Sequence, residues 1–309
     1  MRIACIIPTF NAGQDLSRLL TSLELQTITP DIYIVDSSST DGTLQLASSL
    51  VSNVISIHSS DFNHGGTRQM MVDRNPDYDI YIFLTQDAYL CDQDGLANLI
   101  MPFSNPRVGA VCGRQLPHLK ASLLAQHARL FNYPEDVCLK TIDDAKVLGI
   151  KTAFMSNSFA AYRKEALAMV GGFPSDTIFA EDMYVAAKLL FAGWSLVYAG
   201  NAKVHHSHNY TFLEEFSRYF DMGVFHSRNP WIRKVFGGAG GEGLRYVKSE
   251  LSFLGARYFH LWPTSLIRNA FKYIGFKLGL IEDRLSLRLK RLLSLNKRYW
   301  RAASEVDRL

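Results

Sequence analysis

The 309-residue chain has only four cysteines, Cys5, Cys91, Cys112 and Cys138, and no two of them form a C-x-x-C pair. That pattern excludes a disulfide framework and a cysteine zinc site, and it suits a reducing compartment. No apolar run is long enough for a membrane span, because the stretch 252–281 is interrupted by Arg257, Pro263, Arg268, Lys272 and Lys277. The opening MRIACIIPTFN reaches Pro8 after a short apolar run, which predicts a first β-strand rather than a signal peptide. No G-x-G-x-x-G follows that strand, so a dinucleotide fold is disfavoured. Internal repeats and low-complexity segments are absent as well.

What is present is 48% hydrophobic residues, enough for one large core or two modest ones. The segments 2–8, 31–36, 54–59, 79–84 and 108–114 read as strands, and helical patterns over 15–26, 43–52, 67–74 and 94–102 lie between them. This alternation predicts an α/β fold with a mostly parallel sheet and helices on both faces. Past Phe212 the strand pattern stops and helical periodicity takes over, with a glycine cluster at 237–243 read as a flexible joint or a close-packing turn. The predicted division is therefore 1–211 and 212–309. The formal charge of +4 divides the same way, −5 over residues 1–211 and +9 over 212–309, which points to different partners for the two regions.

Four segments carry chemistry. PTFN (8–11) and IVDSSSTDGT (34–43) place Pro, Asn, Asp and hydroxyls at strand ends, as a base and ribose would need, or as ordinary turns and helix caps would. FNHGGTRQ (62–69) leads two glycines and Arg68 into a helix, which suits a diphosphate or a tight turn. The strand DIYIFL runs on through Thr85 and Gln86 to Asp87, a carboxylate at the mouth of the sheet that can hold a divalent cation or begin a turn. In the segment 170–211, Glu181 and Asp182 open a helix, either as a general base or as favourable charges at its N-terminus. His206 and His208 follow, on one face if the segment is a strand, as ligands, substrate contacts or structural residues.

In this order and spacing these motifs resemble a family 2 inverting glycosyltransferase of the GT-A fold, with a Rossmann-like, mostly parallel sheet flanked by helices. FNHGGTRQ, FLTQDA, SNSFAAYR (156–163) and HSHNYT resemble the bacterial rhamnosyltransferase branch that builds surface polysaccharides such as O-antigen. The resemblance covers roughly residues 2–226. It implies that Pro8, Thr9, Asn11, Asp36, Ser38, Gly65, Arg68, Gln86 and Asp87 bind the nucleotide sugar, with Asp36 at the nucleoside and Arg68 near the phosphates. It also implies that Asp182 is the base with Glu181 beside it, and that Ser156, Asn157 and His208 contact acceptor or sugar. The family usually carries D-x-D at this strand end, and here Thr85 stands in the first place. Asp87 alone makes a thin site for Mg²⁺ or Mn²⁺, so His206 is assigned as a further ligand with His208 next in line, and metal-independent transfer is the alternative.

The implied reaction moves L-rhamnose from dTDP-β-L-rhamnose to a lipid-linked oligosaccharide. Another nucleotide sugar, a nucleotidyltransferase and a noncatalytic carbohydrate-binding protein are the competing readings. A stripe of Ile267, Phe271, Ile274, Leu278, Ile281, Leu285, Leu289 and Leu292 predicts one amphipathic helix, bent at Gly275 or Gly279. Arg268, Lys272, Arg284, Arg288, Arg291, Arg298 and Arg301 lie off the stripe. A basic helix with aromatics before it suits an anionic membrane surface, which would make the protein cytoplasmic and peripheral on the inner face of the cell membrane. Packing on the catalytic domain or pairing into a homo-oligomer is the alternative. Nucleic acid is disfavoured by the acidic first 211 residues.

Overall fold

The structure, a computed structural model, describes residues 1–238 and 241–300. The first apolar runs form β1 (Ile3–Thr9), β2 (Asp31–Asp36), β3 (Asn53–Ser56) and β4 (Ile80–Leu84), followed by β5 (Tyr89–Leu90), β6 (Val108–Leu116), β7 (Cys138–Lys140), β8 (Phe159–Arg163) and β9 (Ser195–His205). They make one sheet in the order β3-β2-β1-β4-β8-β6-β9-β5, with β7 also paired to β9. β1 to β4 are mutually parallel, β6 is parallel to β9, and β8 runs against both β4 and β6. Six strands therefore share one direction, and the sheet is mostly parallel as expected.

The helices are α1 (Gly13–Glu24), α2 (Thr43–Leu50), α3 (His64–Arg74), α4 (Gly95–Ile100), α5 (Leu123–Asn132), α6 (Ala145–Leu148), α7 (Lys164–Met169) and α8 (Glu181–Phe191). Beyond them lie α9 (Phe212–Arg228), α10 (Pro230–Phe236), α11 (Glu242–Leu254), α12 (Trp262–Leu280) and α13 (Leu287–Leu293). Successive strand residues serve opposite faces, as the pleat requires. Ile7, Ile34 and Ile82 pack with Leu16, Leu19 and Leu23 of α1 and Leu96 and Leu99 of α4. Ile6, Val35 and Phe83 lie in the other core with Met71 of α3, Leu189 of α8 and Phe220 and Val224 of α9.

Three sequence expectations change here. The helix expected over 67–74 begins at His64, because the Asn63 side chain accepts a hydrogen bond from Gly66 N at 2.8 Å and caps it. The single tail helix is two, α12 and α13, separated by a tight turn at Glu282–Arg284. Gly275 and Gly279 are contact points rather than bends: a Cβ on them would meet Phe216 O at 2.4 Å and Phe220 O at 2.1 Å, so their bareness lets α12 lie against α9.

The change of element type near residue 211 coincides with no break in packing. Phe220, Phe225, Ile232, Phe236 and Trp300 share one core with β1, β4 and α8. Of the glycine cluster, residues 239–240 lie outside the described residues, as does Arg301.

Candidate active site

The carboxyl ends of β1, β2 and β4 open where the strand order steps from β1 to β2 on one side and β4 on the other, the place where open α/β sheets bind ligands. A cleft of about 1650 Å³ occupies that position. It is roomy enough for a nucleotide sugar together with an acceptor, since a single-ligand pocket is usually about 300–1,000 Å³.

Its first wall is the loop after β1. Pro8 and Thr9 line the cleft, while Thr9 Oγ1 donates to Asp36 Oδ1 at 3.0 Å. Asp36 is fully buried and also accepts from Ser39 N and Ser39 Oγ, at 2.9 and 2.5 Å. Asn11, at a φ of 48°, donates its N–H to Ser39 Oγ and accepts from Thr40 N, and Ser38, at 63°, donates to Ile57 O. Asn11, Asp36 and Ser38 thus tie together the segments that follow β1, β2 and β3. Gln86 does the same from β4, accepting from Phe10 N at 2.7 Å and donating to Phe10 O at 3.1 Å.

The glycine segment departs further from its expected use. A Cβ on Gly65 would lie 1.9 Å from Pro174 O, so this glycine permits close packing of α3 on the Pro174 loop, and Gly66 N is already satisfied by Asn63. Arg68 is 4% exposed, donates to His64 O at 2.8 Å and pairs with Glu181 Oε1 at 3.1 Å. The pair is buried on both sides, so the Arg68 charge is matched by protein.

The acidic pair divides its labour. Glu181 accepts from Asn157 Nδ2 at 2.9 Å, and Tyr162 OH donates to Asn157 Oδ1 at 2.8 Å. Burial opposes its charge, but Arg68 and then His64 hold the Glu181 carboxyl below its ordinary range. Asp182 is only half-buried and lines the cleft, accepting from Asn157 N at 3.0 Å and Met183 N at 2.7 Å. Burial, and after it the charge of Glu181, push Asp182 up to about 7. A carboxylate so placed takes protons readily near neutral pH. The turn into it is strained, with Ala180 at a φ of 60°.

Opposite stand Asp87 and the two histidines. β9 ends at His205, so His206 and His208 lie just past the strand rather than on its face. The register between β6 and β9 jumps from Gly113↔Ala199 to Arg114↔Lys203, and the extra β9 residues carry the chain end back over β5, where His205 pairs with Tyr89. His206 Nε2 comes to 3.4 Å and His208 Nδ1 to 3.8 Å from Asp87 Oδ2. Burial opposes the Asp87 charge, but the His206 hydrogen bond and both imidazoles hold its carboxyl well below the usual range. Desolvation lowers both histidines, His208 to about 4, so the neutral, ligand-competent imidazole is the form at neutral pH.

One donor atom from each of Asp87, His206 and His208 lies within 4.8 Å of the others. Gln115 Oε1 lies 2.8 Å from His206 Nδ1, and Gln115 is itself oriented by donation from Nε2 to Ser156 Oγ at 2.8 Å, so the ring presents Nε2 to Asp87, where a bound cation would replace the hydrogen bond. One carboxylate and two imidazoles fit a divalent cation that keeps open positions for diphosphate oxygens, and the nitrogen content favours Mn²⁺ over Mg²⁺. Ser156 and Asn157 line the same cleft.

Reading the sequence alone missed Gln115, Arg129 and Arg218, all of which line the cleft. Each sits in an otherwise ordinary strand or helix, and no local pattern marks it.

The sequence profile described as Glycosyl transferase family 2 matches residues 4–171. The chain is 51% identical over 303 residues to the O-antigen chain rhamnosyltransferase RfbN of Salmonella typhimurium (strain LT2), covering 97% of this chain and 96% of that one. It is 48% identical to the O-antigen chain rhamnosyltransferase WbaN of Salmonella anatum, covering 96% and 94%. Among solved structures, the mannosyltransferase PcManGT from Pyrobaculum calidifontis, in complex with GDP-Man and Mn²⁺, superposes with a TM-score of 0.61 at 17% identity, covering 91% of this chain and 87% of that one. S. aureus TarS 1-349 in complex with UDP-GlcNAc superposes with a TM-score of 0.53 at 15% identity, covering 92% of each.

Proposed function

Since the chain belongs to glycosyl transferase family 2, we propose that it transfers L-rhamnose from dTDP-β-L-rhamnose, with inversion, to a hydroxyl of a lipid-linked oligosaccharide during O-antigen synthesis. The observation that carries this reading is the near-full-length identity to two O-antigen chain rhamnosyltransferases. The cleft supports it chemically, because it sets a proton acceptor, Asp182, in the same space as a carboxylate–imidazole cluster.

In this mechanism Asp182 takes the proton of the acceptor hydroxyl, and the acceptor oxygen attacks the anomeric carbon from the face opposite the leaving diphosphate. Asn157 holds Asp182 in place through its backbone N–H and holds Glu181 through its side chain. Asp87, His206 and His208 would hold Mn²⁺ or Mg²⁺, which when bound supplies positive charge against the diphosphate oxygens. The Gln86 latch and the Thr9–Asp36–Ser39 bonds hold the nucleotide loop in shape.

No helix among the described residues is long and apolar enough to cross a membrane. A lipid-linked acceptor nonetheless requires the enzyme to work at a bilayer, and we place it peripherally on the cytoplasmic face. Transfer from a panel of nucleotide sugars, with and without Mn²⁺, tests the function. Rhamnose transfer from dTDP-β-L-rhamnose, lost in Asp182→Asn while calorimetry shows dTDP binding near wild type, is the expected result. Preference for another donor refutes the sugar assignment, and an active Asp182→Asn enzyme removes Asp182 as base.

A further inference from the structure

Breaking the anomeric bond leaves negative charge on the diphosphate, and the cation expected for it, Arg68, is matched by Glu181 at 3.1 Å. Three other cations along the cleft are matched too: Arg228 by Glu282 at 2.8 Å, and Arg268 and Lys272 by Glu215 at 3.0 and 3.5 Å. Of the four cleft cations with no carboxylate partner among the described residues, Lys297 and Arg298 are exposed, which leaves Arg129 and Arg218 half-buried.

Arg218 is the better positioned of the two. Its guanidinium lies over the Phe179 ring at 4.5 Å and within 5.8 Å of the Tyr210 ring. Phe179 precedes the strained Ala180 turn into Asp182, and Tyr210 packs on His208 with ring centroids 5.1 Å apart. The arginine therefore spans the space between the proton acceptor and the carboxylate–imidazole cluster. Contact with ring faces orients a guanidinium without occupying its N–H groups, which stay available for two phosphate oxygens. A half-buried cation without a counter-ion is unfavourable in the empty cleft, and that cost is relieved when an anion arrives.

We propose that Arg218, assisted by Arg129, is the cation that receives the departing diphosphate. The proposal rests on the glycosyl-transfer reading. In that step the acceptor hydroxyl gives its proton to the Asp182 carboxylate as its oxygen bonds to the anomeric carbon. The bond from that carbon to the β-phosphate oxygen breaks, and its electron pair leaves with the oxygen, so the diphosphate gains one negative charge. Arg218 meets that charge as it forms, which lowers the barrier more than it tightens ground-state binding.

The test uses the full-length protein and the variants Arg218→Met, Arg218→Lys and Arg129→Met. It measures kcat and KM for donor and acceptor, calorimetric affinity for dTDP and for thymidine, and thermal unfolding. Arg218→Met is expected to lose kcat by roughly 100-fold or more, as when one transition-state donor is removed. It should weaken dTDP but not thymidine, keep the wild-type unfolding temperature, and be partly rescued by added guanidinium. Arg218→Lys should recover part of the rate. Wild-type kcat and dTDP affinity in Arg218→Met would overturn the proposal, as would a loss confined to acceptor KM. If Arg218→Met does not fold, Arg218→Lys and Arg129→Met decide on the same measurements. A wild-type protein that binds no nucleoside diphosphate overturns the glycosyl-transfer reading itself, whereas wild-type transfer unaffected by these variants overturns only this inference.

Discussion

Asp182 and Glu181 are adjacent in the chain and opposite in chemistry, because one faces Arg68 and the other faces the cleft. A base must be deprotonated to act, so kcat/KM should rise with pH through about 7, the value to which Asp182 is pushed. Glu181→Gln removes the neighbouring negative charge and leaves Arg68 to favour the Asp182 anion. The Asp182 pKa then falls and the acidic limb moves to lower pH. Rate profiles from about pH 5 to 9 read the shift, and an unmoved limb assigns it to another group. Gln115 acts at one remove, by holding the His206 ring at Nδ1 so that Nε2 faces Asp87. Gln115→Leu should weaken Mn²⁺ affinity in the presence of dTDP by about 10–100-fold, the usual effect of losing such a partner. Unchanged affinity takes His206 out of the ligand set.

At the scale of elements, the contact of α12 with α9 depends on bare backbone. Gly223, Gly275 and Gly279 would each bring a Cβ within 2.4 Å of a carbonyl oxygen across the contact. Gly279→Ala should therefore destabilise by about 1–3 kcal/mol, since α9 cannot retreat without opening the core around Phe220 and Val224. Gly243 on α11 meets nothing within 4 Å, so Gly243→Ala is the control and should be neutral or stabilising by about 0.5 kcal/mol. Thermal unfolding of the two variants separates the effects, and equal stabilities would mean that the helices can part freely. The apolar stripe of the tail shows why periodicity alone misled: Leu278 and Leu285 pack on the core, while Ile267, Ile274 and Leu292 remain exposed. Period identifies a helix face but not what covers it.

For the whole molecule, the basic surplus of the last 98 residues has two destinations. Arg268 and Lys272 turn into the cleft toward Glu215, and Arg298 donates to Ser59 O at 2.8 Å. Lys248, Arg257 and Lys277 stay on the surface, and so do Phe259, which is 68% exposed, and Trp262, which is 40% exposed. That mixture suits the headgroup region of an anionic bilayer, where each cation contributes about 1 kcal/mol and salt screens it. The protein should sediment with anionic liposomes and be partly released by high salt, and Phe259→Ser with Trp262→Ser should weaken it without lowering thermal stability. Sedimentation unaffected by the double substitution would remove the membrane assignment for this surface. Deleting the tail is a poor test, because Leu278 and Trp300 belong to the core.

The alternation of strand and helix, the sheet beneath it and the positions of Asp87 and Asp182 at element ends were legible in the sequence. Each depends on patterns a few residues long, governed by backbone geometry and by which side chains leave water. The ordered motifs also carried the family, since their spacing follows the order in which strands reach the open edge of the sheet. Only the tertiary structure decided which groups face each other. It matched Arg68 to Glu181, turned Gly65 from a phosphate loop into a packing contact, drew His208 in beside His206 at Asp87, and left Arg218 without a carboxylate among the described residues. These pairings join residues far apart in the chain, and a shift in strand register or the contact of two helices sets them. Local pattern cannot reveal them, because an ionised side chain looks the same in sequence whether its partner is a buried carboxylate or an arriving phosphate.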